Sequence, residues 1–200
     1  EIPAMLRARE AEYPERFTFH SSRMRMKHVV KEELAAMDGE SLRCAAELAD
    51  GRMDVIGYAC LVAIMAMGLG YHRISESRLA KIAREVGGPA PVISSAGALI
   101  AGLQDIGAKR VAILAPYMKP LTQLVVDYIE HEGISVSSVV SLEIPDNLEV
   151  GRRDAALALD AAASLDLAGA DTLVLSACVQ MPSAAAIDAA EQRYGLPVVT

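Results

Sequence analysis

Two cysteines, Cys60 and Cys178, close matching apolar runs, Val55-Ile56-Gly57-Tyr58-Ala59-Cys60 and Leu173-Val174-Leu175-Ser176-Ala177-Cys178. Each run has the composition of a buried strand. Each therefore delivers a thiol at a strand's carboxyl end, where α/β proteins build their sites. A thiolate at a strand-to-helix turn lies near backbone N–H groups that have no helical partner and that stabilise negative charge. The same amides, from Leu61, Val62, Val179 and Gln180, can hold a carboxylate. Two thiols facing each other across a cleft can serve as nucleophile and acid/base, or can move a proton between the two faces of one carbon. The third cysteine, Cys44, sits among Leu42, Ala45, Ala46 and Leu48 and reads as core packing.

Other chemistries find less support. His20, His28, His72 and His131 show no metal-ligand spacing, and the cysteine spacings fit neither a zinc ribbon nor a CxxC redox motif. There is no Walker A loop, and Gly68-Leu69-Gly70 lacks the further glycine of a dinucleotide fingerprint. Met24, Met26, Met65 and Met67 read as core or loop packing. We therefore expect neither metal nor organic cofactor. Three cysteines cannot all pair within one chain, so reduced thiols in the cytoplasm are the simpler reading.

The elements that position the thiols come from a chain of 200 residues, 52% apolar, without Trp and with a formal charge of −7. Ala-rich helices around Val/Ile-rich strands indicate an α/β protein. The only basic run is Arg23-Met24-Arg25-Met26-Lys27, too short for a phosphate-tracking surface, so nucleic acid is not an expected partner. The longest apolar run, 55–69, is interrupted by Gly57 and Gly68. It falls short of the roughly 20 residues that span a bilayer, so no membrane is expected either, and no signal peptide is visible. The chain starts at Glu1 rather than Met and stops within what reads as a strand at Val198-Val199-Thr200. The natural protein is expected to extend beyond both ends.

Along the chain, helices are expected at Ile2–Glu12, 29–36 and 42–49 (the last two separated by Asp38-Gly39), then up to Met67 and over 77–86. An extended segment is expected at 17–26 and a strand at 53–59. Gly87-Gly88-Pro89-Ala90-Pro91 breaks the chain. The second half gives helices at 96–106, 119–132, 149–167 and 184–194, and strands at Arg110–Ala115, 134–142, 172–177 and the C-terminus. Strands separated by helices of this length imply parallel βαβ units. The two cysteine runs form a weak internal repeat, each with an aspartate upstream, Asp54 and Asp171. We expect an N-terminal lobe, 1–93, carrying Cys60, and a C-terminal lobe, 94–200, carrying Cys178. A pseudo-twofold between the lobes would present both thiols to one cleft.

Several segments carry a resemblance: Gly57-Tyr58-Ala59-Cys60, Pro91-Val92-Ile93-Ser94-Ser95-Ala96, Val111-Ala112-Ile113-Leu114-Ala115-Pro116-Tyr117, Ile144-Pro145-Asp146-Asn147 and Leu175-Ser176-Ala177-Cys178. In their order and spacing the chain resembles the aspartate/glutamate racemase superfamily and, within it, the maleate cis–trans isomerases. The resemblance implies two Rossmann-like lobes with parallel sheets, a homodimer, and chemistry without metal or organic cofactor. It implies Cys60 as nucleophile and Cys178 as acid/base. Tyr117 and Asn147 match positions that hold the substrate's carboxylates, together with the amides after each cysteine; they also suit a cover over a helix start and an Asx turn. The family pattern opens with a strand and a loop ending in a substrate-binding Asn, and the chain begins just after it.

The residues after each cysteine separate the possible reactions. Amino-acid racemases of the superfamily follow their cysteines with polar residues. Here the runs are Cys60-Leu61-Val62-Ala63 and Cys178-Val179-Gln180-Met181, an apolar wall suited to a hydrocarbon centre with a carboxylate at each end. Arylmalonate decarboxylases keep only the second cysteine, so Cys60 argues against them. The expected activity is isomerisation of maleate to fumarate through a succinyl-cysteine, a reaction placed in the degradation of aromatic and N-heterocyclic acids. The alternatives are a two-cysteine racemase of a small amino acid or hydantoin and a non-catalytic dicarboxylate-binding protein. The segments around Tyr117 and over 145–150 are expected to close over the site.

Overall fold

Strand composition decides how the layers stack. Arg110–Ala115 is buried at every position after the first, and Thr172–Leu175 is buried throughout. Strands without a polar face need cover on both sides, the condition at the centre of a parallel sheet. Ser135–Ser141 mixes serine with valine and is mostly half-buried, which suits an edge.

The computed structural model describes residues 1–27 and 31–200, with the backbone alone for Lys31. In chain order the helices and strands are α1 (Ile2–Glu12), α2 (Lys31–Asp50), β1 (Ile56–Tyr58), α3 (Leu61–Met65), α4 (Tyr71–Glu85), β2 (Val92–Ser94), α5 (Ser95–Asp105), β3 (Arg110–Ala115), α6 (Lys119–His131), β4 (Ser135–Ser141), α7 (Asn147–Gly151), α8 (Ala155–Ala161), β5 (Thr172–Leu175), α9 (Ile187–Tyr194) and β6 (Val198–Val199). The fold is α/β with two parallel sheets, β1-β2 and β4-β3-β5-β6. The boundary expected at 93/94 falls inside β2.

The period-two alternation of a strand sorts the core into two faces. Val111, Ile113, Ala115 and Val174 join a cluster with Ile64, Ile100, Leu103, Val125 and Ile129, which also takes in Ile56 and Tyr58 of β1. Ala112, Leu114, Leu173 and Leu175 point the other way, toward Ala158, Met181 and Ala190. Asp171 fixes the register between β5 and β3, its carboxylate accepting from the amides of Lys109 and Arg110 at 2.9 Å each. Polar contacts also join α4 to α6. The Tyr128 hydroxyl lies 2.9 Å from the His72 amide and 2.6 Å from His72 Nδ1, while Arg73 forms a two-pronged pair with Glu132. Burial holds the His72 pKa below the usual histidine value.

Several expectations needed correction, among them the helix expected over 77–86, which begins at Tyr71. A single helix, α2, runs through Asp38-Gly39. Asp38 is buried rather than turn-forming, and its Oδ2 accepts from the Tyr71 hydroxyl at 2.7 Å and from Arg78 at 3.3 Å. Tertiary packing outweighs the ~1 kcal/mol that a helical glycine costs. The expected start of this helix at Val29, like His28, lies outside the described residues. The long helix over 149–167 is instead two helices and a short 3-10 turn. Asp154 restarts the chain within that span, accepting from the Ala156 amide, while Asp146 starts α7 ahead of it, accepting from the amides of Leu148 and Glu149. Strand β2 was not foreseen, because it lies directly between the Gly/Pro break at 87–91 and helix α5.

The Gly87-Gly88 break is a helix stop. Gly87 takes φ 90°, its amide bonds to Arg84, and the Gly88 amide reaches back to Ala83. A Cβ on Gly88 would overlap the carbonyl oxygen of Ala49. Gly88→Ala is therefore expected to destabilise the fold by about 2–4 kcal/mol, read as a lower urea midpoint at unchanged slope. A midpoint equal to that of the wild type would contradict this packing.

Candidate active site

The sheet topology selects one place for a ligand. From β3 the chain goes to β4 on one side and then returns to β5 on the other. A crevice at the carboxyl ends of β3 and β5 is the switch point of such a sheet. Tyr117 follows β3, and Cys178 follows β5. Cys60 follows β1 in the other sheet.

These ends meet in a cavity of about 100 Å³ lined by Met26, Ala59, Cys60, Leu61, Val62, Tyr117, Asn147, Cys178, Val179 and Gln180. All eight residues singled out in the sequence lie along it. Met26 and Ala59 were not foreseen. Ala59 directly precedes Cys60. Met26 ends a segment without regular structure in which Ser22, Met24 and Met26 are half-buried while Ser21, Arg23, Arg25 and Lys27 are exposed. That alternation was the available signal, and it puts Met26 in both core and cavity wall.

Cys60 is the N-cap of α3, in extended backbone at φ −157° and ψ 101°. Leu61, Val62 and Ala63 form the first helical turn, whose amides have no partner within the helix. Burial pushes the Cys60 thiol up to about 11; the Ala63 amide pulls it down, and the neighbouring charge of Cys178 pushes it up. The thiol is thus neutral in the empty site. Alkylation of Cys60 by iodoacetamide is expected to accelerate about tenfold per pH unit from neutrality toward the thiol's own value. Peptide mass spectrometry would follow it, and a plateau near the ordinary cysteine value of about 8.5 would contradict the burial.

Cys178 sits on a strained elbow. Ser176 has φ 85° and Ala177 φ 39°, and neither is glycine. Such residues cost roughly 1–3 kcal/mol each and persist only where their surroundings hold them. After the elbow, the Met181 amide bonds to the Cys178 carbonyl at 3.3 Å. The amides of Val179 and Gln180 occupy the two central positions of that turn and take no part in its closing bond.

Tyr117 donates its hydroxyl to the Ala177 carbonyl at 3.2 Å. Burial first, then the charge of Cys178, holds its pKa well above the ordinary value, so it is a neutral donor. Asn147 is the first residue of α7; the Asx cap is made by Asp146 instead. The Gln180 side-chain amide donates to the Asn147 main-chain carbonyl at 2.6 Å, tying the start of α7 to the loop after β5 along the cavity wall. None of the lining residues carries a fixed charge. An anion here would be held by backbone amides, the tyrosine hydroxyl and side-chain amides.

Comparison with known proteins gives a consistent picture. The family model described as arylmalonate decarboxylase matches residues 5–200. The maleate isomerase of Pseudomonas putida is 63% identical over 200 residues, covering 100% of the chain and 80% of that protein. A crystal structure of a Pseudomonas putida maleate isomerase, a cysteine-to-alanine variant with maleate, superposes with a TM-score of 0.96 at 58% identity, covering 99% of the chain and 79% of that one. A cysteine-to-serine variant of the Nocardia farcinica maleate cis–trans isomerase, with a covalently bound succinylcysteine intermediate, superposes at 0.91 with 47% identity, covering 96% and 79%.

Proposed function

The chain belongs to the arylmalonate decarboxylase family and, within it, to the maleate isomerases, and from that premise we propose that it converts maleate to fumarate with Cys60 as nucleophile and Cys178 as acid and base. The observation that carries the reading is a small cavity lined by both thiols and by uncharged hydrogen-bond donors; the division of roles between the thiols rests on the resemblance to the family. The succinylcysteine of the Nocardia farcinica relative supports the covalent route.

In this reading the Cys60 thiolate attacks one olefinic carbon and forms a C–S bond. The π electron pair moves to the other carbon, where the Cys178 thiol supplies a proton. The former double bond is now single and the succinyl group rotates about it. The Cys178 thiolate then removes a proton from that carbon, the electron pair re-forms the double bond, and the C–S bond breaks to return the Cys60 thiolate. Once the Cys60 proton has passed to solvent, atoms and electrons balance with the two thiols and the substrate alone. Splitting one hard rotation into an addition and an elimination is the gain from covalent catalysis.

Two features of the site shape the barrier. Ionising a thiol pushed up to about 11 costs about 5 kcal/mol at neutral pH, and this is part of the overall activation free energy. The substrate's carboxylates meet the amides of Leu61, Val62, Val179 and Gln180 with the side chains of Tyr117 and Asn147. The Tyr117 proton must swing from the Ala177 carbonyl to reach a carboxylate, since a hydroxyl donates only once. The segments around Tyr117 and over 145–150 close over the occupied site in this account, excluding water.

We divide the molecule into an N-terminal lobe, 1–93, and a C-terminal lobe, 94–200. Their sheets carry Cys60 and Cys178 respectively, with the last residue of β2 just past the boundary. We also place the protein in the cytoplasm as a homodimer. Both catalytic thiols must stay reduced, which a reducing compartment provides, and no helix among the described residues is long and apolar enough to cross a membrane. The dimer rests on resemblance to the family; light scattering giving the mass of one chain would reject it. The reaction is tested by proton NMR of maleate incubated with the reduced protein. Fumarate appearing without added cofactor is the expected result, and unchanged maleate with a folded sample would reject it.

A further inference from the structure

The elbow that presents Cys178 is held by groups outside the cavity. Ser176 is fully buried, and its hydroxyl donates to the Cys178 carbonyl at 3.3 Å. The fully buried Ser183 hydroxyl lies 3.2 Å from Ser176 Oγ and 2.8 Å from Thr200 Oγ1, just past β6. The Ser183 hydroxyl also lies 3.4 Å from the Met181 carbonyl, and since hydroxyl protons rotate, one donor order that links the run is Thr200 to Ser183, Ser183 to Ser176, and Ser176 to the Cys178 carbonyl. The Ser183 main chain is itself anchored, since the amides of Ser183 and Ala184 both donate to the Glu1 carboxylate at 2.8 Å. Neither Ser183 nor Thr200 lines the cavity.

We propose that Ser183 is a positioning residue for the isomerisation, its hydroxyl clasping the strained Ser176–Ala177 elbow to the end of β6 so that Cys178 meets the carbon it must protonate and deprotonate. The physical argument is local. Two consecutive non-glycine residues at positive φ relax toward negative φ unless something holds them. The Cys178 carbonyl defines the peptide plane that leads out of the elbow, and the hydroxyl run fixes that plane. Tyr117 restrains the preceding carbonyl, that of Ala177, from the cavity side. Without the Ser183 hydroxyl, the Ser176 hydroxyl keeps its bond to the Cys178 carbonyl but loses its tie to the end of β6, so the elbow is no longer anchored to the sheet on that side. A similar arrangement holds nucleophiles on strained strand-to-helix turns in α/β hydrolases, here applied to an acid/base thiol.

The proposal rests on reading Cys178 as the acid/base, and its signature is specific to that role. A misplaced Cys178 slows proton removal from the succinyl-cysteine, so Ser183→Ala should lower kcat about 10–100-fold with little change in KM. It should also accumulate a succinyl adduct on Cys60 during turnover, seen by mass spectrometry after rapid quench. Ser183→Thr, which keeps the hydroxyl, should restore most of kcat and remove the adduct. Thr200→Val, which removes the far end of the run without loss of volume, should show the same adduct and a smaller kcat loss. It decides the matter if Ser183→Ala does not fold. Wild-type kcat in a folded Ser183→Ala, or lost kcat without adduct, would overturn the clasp while leaving the isomerase intact. No fumarate from the wild-type protein would overturn the functional reading, and the clasp with it.

Discussion

Cys60→Ala is expected to lower turnover of maleate by at least about 10⁴-fold while leaving the fold in place. Loss of a nucleophile that forms the covalent intermediate leaves only binding and electrostatic contributions, and the residual rate is small. The fold tolerates the change for reasons visible in the structure. Cys60 is half-buried at the cavity wall and caps a helix without a side-chain hydrogen bond. Alanine there removes one sulfur and adds no volume. A steady-state NMR assay gives the rate, and thermal denaturation checks the fold. Turnover within about tenfold of the wild type would remove Cys60 from the role of nucleophile.

Cys178→Ala is nearly as damaging, with kcat lower by about 10²–10⁴-fold, the usual range for loss of a general acid/base. The two variants differ in where the reaction stops. Without Cys60 no adduct forms. Without an effective Cys178, addition can still be completed by a proton from water, but removal of that proton is slow, so the succinyl-cysteine builds up. Substrate binding should survive both changes, because the proposed reading places it on the amides after each cysteine and on Tyr117 and Asn147. A Cys178→Ala variant with full kcat would leave the structure without the second thiol's function.

The central parallel sheet was legible because Arg110–Ala115 and Thr172–Leu175 are apolar on both faces, which few environments permit. The shared cavity was legible in outline because each thiol ends a strand of its own parallel sheet, and the carboxyl ends of such strands are where ligands sit. Other features carried no readable signal. Asp38-Gly39 has the composition of a turn, and only the distant Tyr71 and Arg78 make it a buried helical position. Asp154 is a helix cap inside an otherwise Ala-rich stretch whose helical propensity hides the break, and Asp146 caps a helix that begins two residues before the expected one. The elbow at Ser176 and Ala177 could not be read at all, since positive φ at non-glycine residues leaves no mark in the sequence. Met26 reaches the cavity from a segment without regular structure, so only the alternation of its neighbours hinted at its place.

The account turns on covalent attachment at Cys60, and trapping the intermediate tests that directly. Cys178→Ser, incubated with maleate, quenched in acid and digested, is expected to carry one succinyl group on the peptide containing Cys60 and none on that containing Cys44. Attachment elsewhere, or a fully active enzyme that never shows an adduct, would contradict it.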